Sequence, residues 1–113
     1  IDEAIRHFQE AVRVKPSYAG AHYNLGVAFF QQGRIDEAIR QFQDALRLQP
    51  DHAQAHNNLG AALGRKGQTD EAIHEFQEAL RLKPDDAEAR RNLNILLTNK
   101  AAASPPPGSS MKP

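Results

Sequence analysis

Apolar residues recur along this chain in short stripes of helical spacing, separated by turn residues. Ala21, Leu25, Ala28 and Phe29 stand at i, i+4, i+7 and i+8, one face of an α-helix. Gly33 closes that stretch as a residue that accepts the positive φ of a helix end. A second stripe follows at Ala38, Phe42, Ala45 and Leu46, and Pro50 ends it. The pattern predicts helices near residues 1–15, 18–32, 35–48, 52–66 and 69–82, and a sixth from about residue 86. Asp51 with Gln54, and Asp85 with Glu88, have the spacing of a capping box and are expected to cap the fourth and sixth helices. Asp36 and Asp70 are placed to cap the third and fifth.

The stripes repeat. Sliding the chain by 34 residues superimposes Leu25-Gly26 on Leu59-Gly60, Gly33 on Gly67, Phe42 on Phe76 and Pro50 on Pro84. The same slide lays D-E-A-I at 36–39 on D-E-A-I at 70–73, and backwards on D-E-A-I at 2–5. The chain therefore divides into a second helix at 1–16, full two-helix units at 17–50 and 51–84, and a first helix or C-terminal cap at 85–100. Small residues at Ala21, Gly26 and Ala38 allow close helix approach, while Phe42 and Leu46 fill the seam. No unit can bury its apolar stripes alone, so the units must stack.

With 113 residues, the chain has the length of one ordinary domain, and its first residue is Ile, as in a fragment or a processed product. Its 14 basic and 14 acidic residues balance, which removes a strong pull toward nucleic acid or an anionic membrane. Cysteine is absent, so thiol chemistry and disulfides are excluded. No apolar run approaches the ~18 residues of a bilayer span, and no membrane insertion is expected. Beyond Lys100, A-A-A-S-P-P-P-G-S-S-M-K-P reads as an extended tail at 101–113, non-helical past Ser104. The carboxylate pairs Asp2-Glu3, Asp36-Glu37 and Asp70-Glu71 recur with the repeat, which marks them as solvated first turns, not acid/base pairs. His52 and His56 are four residues apart and share a helix face, but no third metal ligand stands at suitable spacing. No nucleophile constellation or phosphate loop is present, so neither an enzyme nor a cofactor is expected.

The repeat resembles the tetratricopeptide repeat family, whose signature runs W-x2-L-G-x2-Y, A-x3-F, P over a period of 34. Here it reads His22, Leu25, Gly26, Phe29, Ala38, Phe42, Pro50, and then His56, Leu59, Gly60, Leu63, Ala72, Phe76, Pro84. Asn94 departs from the Gly position, which implies looser packing on the far side of the last helix. The resemblance implies an all-α, right-handed α-solenoid whose first helices line a concave groove, acting as an interaction scaffold for a peptide or protein partner. Asn24, Asn58 and Asn92 share one repeat position about 100° from the apolar stripe, on the flank that faces this groove in the family. Asparagine is a mediocre helix former, and a column of amides can pair with successive peptide groups of an extended ligand. The alternative is that these amides bond only within or between the first helices. The same flank carries Val27, Gln31, Gln54 and Arg65, with Tyr23, Asn57 and Arg91 at a neighbouring repeat position. A carboxylate clamp of the family's chaperone-binding branch is not expected, because Tyr23, Val27 and Glu88 stand where it needs Lys, Asn and Lys. A structural alternative is head-to-tail self-association into an oligomer or filament. It would set Ala4, Ile5, Phe8 and Ala11 of one copy against Leu93 and Leu97 of the next.

Overall fold

A computed structural model describes residues 2–103 of the chain. It has six helices, α1 (Asp2–Val14), α2 (Ala19–Gln31), α3 (Ile35–Leu48), α4 (Ala53–Arg65), α5 (Thr69–Leu82) and α6 (Ala87–Ala103), and no strand among the described residues. The first five fall within a residue or two of the limits read from the apolar stripes. α6 runs to Ala103, three residues into the segment that composition assigns to the tail. Ala101 stands where Gly33 and Gly67 stand in the preceding units, so no left-handed residue stops the helix there. The expectation for residues 104–113 lies outside the described residues.

Each helix packs on its sequence neighbours, so the order of the chain is the order of the stack. Successive first helices of the units also touch, α2 with α4 and α4 with α6, whereas α1, α3 and α5 do not touch one another. A stack whose members touch along one side only is curved, with the touching side inside, and the result is an all-α solenoid. Its core is the seam predicted from the sequence: Ala38, Phe42, Ala45, Ala72 and Ala79 are fully buried and Phe76 is nearly so. Removing such a phenylalanine ring costs about 3–5 kcal/mol. Gly26 and Gly60 make room for those rings. A Cβ at Gly26 would come within 2.6 Å of the Phe42 ring, and one at Gly60 within 3.0 Å of Phe76.

Two turns alternate along the stack. Between α2 and α3, Gly33 takes φ +76°, its N–H donates to Phe30 O, and Arg34 N–H donates to Phe29 O. This is the paired bonding of a Schellman ending with glycine at the left-handed position. Gly67, at φ +86°, repeats it between α4 and α5 with Gly64 O and Leu63 O. Helices α3 and α5 begin immediately afterwards, so Arg34 and Gln68 occupy the N-cap positions, without a side-chain cap bond. The expectation that Asp36 and Asp70 cap these helices is thereby corrected. They lie one residue inside the first turn, where the helix dipole still favours a carboxylate.

The other turn corrects the remaining caps. Tyr18, His52 and Asp86 each donate a backbone N–H to the carbonyl three residues earlier, at Lys15, Gln49 and Lys83. Pro16, Pro50 and Pro84 thus sit second in a four-residue turn, the position their fixed φ favours. Asp51 and Asp85 are the third residues of those turns, and the cap passes to the fourth. His52 Nδ1 accepts from Ala55 N–H at 3.1 Å, and Asp86 Oδ1 from Ala89 N–H at 3.1 Å.

Candidate ligand groove

The concave side is built from repeat positions of α2, α4 and α6. Asn24 is exposed, Asn58 and Asn92 are half-buried, and Gln31, Gln54, Arg65 and Arg91 are exposed. Val27 is half-buried against the core. Tyr23 is half-buried too, 4.7 Å from the ring of His52 and 6.0 Å from that of Phe42, centroid to centroid. Its hydroxyl accepts a hydrogen bond from Asn58 Nδ2 at 3.0 Å, which joins α2 to α4 across the unit boundary. Burial is the largest influence on this phenol and raises its pKa above the ordinary value. The hydroxyl therefore stays protonated and keeps a hydrogen of its own to donate. Asn58 keeps its Oδ1 and a second amide hydrogen. Asn24 and Asn92 make no side-chain hydrogen bond among the described residues.

Asn57 differs from its neighbour Asn58. It is 2 % exposed, and its Nδ2 donates to Glu88 Oε1 of α6 at 3.2 Å. Its Oδ1 has no partner among protein atoms. The acceptor at Glu88 fixes the amide orientation, since a flip would set oxygen against oxygen. Of the residues read as groove positions, Asn57 is the most buried, and its amide links α4 to α6.

His22 and His56, at the tryptophan position of the repeat signature, make polar contacts. His22 Nε2 lies 2.8 Å from Pro16 O and Nδ1 2.8 Å from Gln41 Oε1. His56 repeats this with Pro50 O at 2.9 Å and Glu75 Oε1 at 2.7 Å. Arg90 takes the same place in the third unit and donates to Pro84 O at 2.7 Å. Each of these side chains ties a first helix to the proline turn before it. Both nitrogens of His56 are engaged in this way, and His52 Nδ1 is engaged as a cap. A second recurrent link also went unread. Asp2, Asp36 and Asp70 reach Gln32, Lys66 and Lys100 at 2.7, 2.6 and 2.6 Å, clasping the start of each second helix to the end of the next first helix. Its only signal in the sequence is a polar pair at a separation of 30 residues, recurring with the repeat.

Of the residues read as a self-association surface, Ile5 is 4 % exposed and already buried in the core. Ala4, Phe8, Ala11 and Leu93 are half-buried, and Leu97 is 43 % exposed. Among the described residues no helix is long and apolar enough to cross a membrane.

Residues 29–87 and 58–97 match the family model for the tetratricopeptide repeat, and residues 1–33 match one described as TPR repeat. No curated protein matches the sequence. Two crystal structures of MamA superpose with TM-scores of 0.86 and 0.85, at 27% identity over 88% of this chain. The chain spans 58% and 55% of those two MamA chains. The first TPR of Spaghetti (RPAP3), solved bound to the HSP90 peptide SRMEEVD, superposes with a TM-score of 0.87 at 24% identity, over 88% of this chain and 79% of that one. At that identity the likeness is one of fold. The period of 34, the glycine–phenylalanine seam and these matches lead to one assignment: the chain belongs to the tetratricopeptide repeat family.

Proposed function

We propose that the chain is a protein-interaction scaffold whose concave groove takes an extended peptide or a segment of a partner protein. Asn24, Asn58 and Asn92 then pair with successive peptide groups of that segment. The observation that carries this reading is the register of the three amides, one on each of the three helices that touch along the inner side of the curve. Asn58 retains hydrogen-bonding capacity beyond its bond to Tyr23, so its inter-helix role and a ligand role are compatible. The Spaghetti domain, similar in fold, was solved with an HSP90 peptide, and that property of that protein is in keeping with a peptide ligand here. Backbone recognition tolerates changes of ligand side chain and suffers when ligand amides are removed. Peptides selected on the chain from a random library should therefore lose at least tenfold in affinity on the triple variant Asn24→Ala, Asn58→Ala, Asn92→Ala, and also when their backbone is N-methylated. Unchanged affinity on a triple variant that melts like the parent would sink the reading.

Head-to-tail association of copies is a second reading with one observation in its favour. The large hydrophobics exposed among the described residues are Val14, Tyr18, Ile95 and Leu97, on α1, the turn after it, and α6. Against it stands Asn94, at the position of Gly26 and Gly60. There a Cβ meets the facing phenylalanine ring at 2.6 to 3.0 Å, and Phe8 would bring the equivalent ring. Light scattering over a hundredfold concentration range decides it, and a constant monomer mass ends it.

A further inference from the structure

Most of the glycines described have a visible physical reason. Gly26 and Gly60 face phenylalanine rings, Gly33 and Gly67 take positive φ, and a Cβ at Gly20 would touch the ring of Tyr18 at 3.0 Å. Gly64 has none of these. It lies within α4, its φ is not positive, and the nearest atom a Cβ would meet is the Ala72 methyl at 4.0 Å. An alanine would fit there, and glycine is the poorer helix former. What glycine does provide is open space. The preceding unit has Phe30 at this repeat position, and Gly64 lines, with Gly60, an open cavity of about 320 Å³ between α2, α4, α5 and α6. Its walls are largely apolar, with Phe30, Ala61, Ile95 and Leu96 among them, and Asn92 and Arg65 supply the polar groups. The cavity is open to solvent on one side and walled by helices of three successive units.

Arg65 is the charged residue in the lining of this cavity. The Arg65 guanidinium lies 5.4 Å from the centre of the Phe30 ring and forms no ion pair among the described residues. Arg91 on α6 likewise has no ionic partner among them, and it lines the adjoining cleft, which shares Ile95 with this cavity. Glu88 on α6 does not line this cavity and keeps its charge while accepting from the Asn57 amide, and Asp85 lies with Arg90 and Arg91 in the adjoining cleft. An apolar chamber beside an unneutralised guanidinium complements an apolar group attached to an acid.

Resting on the groove reading above, we infer that the cavity at Gly64 is the specificity pocket of the groove. It takes one apolar side chain of a partner peptide whose adjacent residue is Asp or Glu, with the carboxylate on Arg65. The amide column holds the backbone, and this pocket sets which residue of the ligand is read. Panning a random dodecapeptide display library on the full chain tests it, with the enriched peptides titrated by fluorescence anisotropy. The expected peptides share an apolar–acidic step. Changing their apolar residue to Gly, or the chain by Gly64→Leu, lowers affinity at least tenfold, and Arg65→Ala lowers it several-fold while flattening its salt dependence. If Gly64→Leu does not fold, Arg65→Ala and Ile95→Asp, both at exposed positions, carry the test. Peptides that bind the Gly64→Leu and Arg65→Ala chains as they bind the parent, yet are lost on the triple asparagine variant, overturn the pocket and leave the groove reading intact. Enriched peptides without an apolar–acidic step also overturn it. If no peptide is enriched, both fall. A chain mass that rises with concentration and reverts in Gly64→Leu would assign the pocket to a second copy and overturn the peptide.

Discussion

The same substitution, glycine to alanine, should change sign among three helical glycines with different surroundings. In a helix interior alanine is favoured over glycine by about 0.5–1 kcal/mol, through the smaller loss of backbone entropy. At Gly64 nothing opposes this gain, because the new methyl meets Ala72 at an ordinary van der Waals distance of 4.0 Å. Gly64→Ala should stabilise by about 0.5 kcal/mol, the lower end of the range, since the residue is next to last in its helix. At Gly26 the methyl would lie 2.6 and 2.7 Å from two atoms of the Phe42 ring, and that ring is fully buried with no space to withdraw into. Overpacking of this kind costs typically ~1–3 kcal/mol, so the net effect of Gly26→Ala is a loss of about 1–2 kcal/mol. Gly60→Ala lies between them, because its contacts with Phe76 begin at 3.0 Å and a ring shift of a few tenths of an ångström relieves them. For a chain of this size 1 kcal/mol corresponds to roughly 4 °C in Tm. Thermal melts followed by far-UV circular dichroism should therefore place Gly64→Ala about 2 °C above the parent and Gly26→Ala about 4–8 °C below it, with Gly60→Ala near the parent. A Gly26→Ala chain that melts at or above the parent would refute the ring contact. A Gly64→Ala chain that melts clearly lower would show that the glycine is needed for the fold, and would remove the reason to look for a ligand there.

Two further predictions concern polar groups. Burial, with the nearby charge of His56 adding to it, holds the His52 pKa below the ordinary histidine value of about 6.5, consistent with the neutral ring that caps α4 through Nδ1. The unfolded chain takes up that proton as pH falls below about 6.5 while the folded chain resists it, so this group's stabilising contribution is present above that pH and is lost as pH falls toward the folded value. His52→Asn keeps a capping oxygen without the titration, and its urea midpoint should vary less between pH 7 and pH 5 than the parent's; equal slopes would exclude His52 as the source. Asn57→Asp would set a buried carboxylate 3.2 Å from Glu88 Oε1, so it should destabilise by about 3 kcal/mol or more at pH 7 and recover in part at low pH, as read by denaturant titration at both values.

The helices, their order and the core were determined by the sequence alone, because they rest on local stripes and turns and on their regular recurrence along the chain. The i, i+4, i+7, i+8 stripes select the buried face, Gly33 and Gly67 supply the left-handed endings, and the period of 34 requires the units to stack. Phe42 and Phe76 were legible as the seam for the same reason. The caps of α4 and α6 were misplaced by one residue because Asp51 and Asp85 fit the local capping rule, while the turns that contain Pro50 and Pro84 use them as interior residues. Tertiary structure decided the rest, since it depends on how one unit sits against the next. Asn57 and Asn58 are adjacent and chemically identical, yet one is buried against Glu88 and the other faces the groove beside Tyr23. The links from Asp36 to Lys66 and from Asp70 to Lys100 span 30 residues. Gly64 also takes its meaning from distant residues: in the sequence it is one more small residue in a helix, and only the placement of Phe30 on one side and Ile95 on the other makes it part of a cavity.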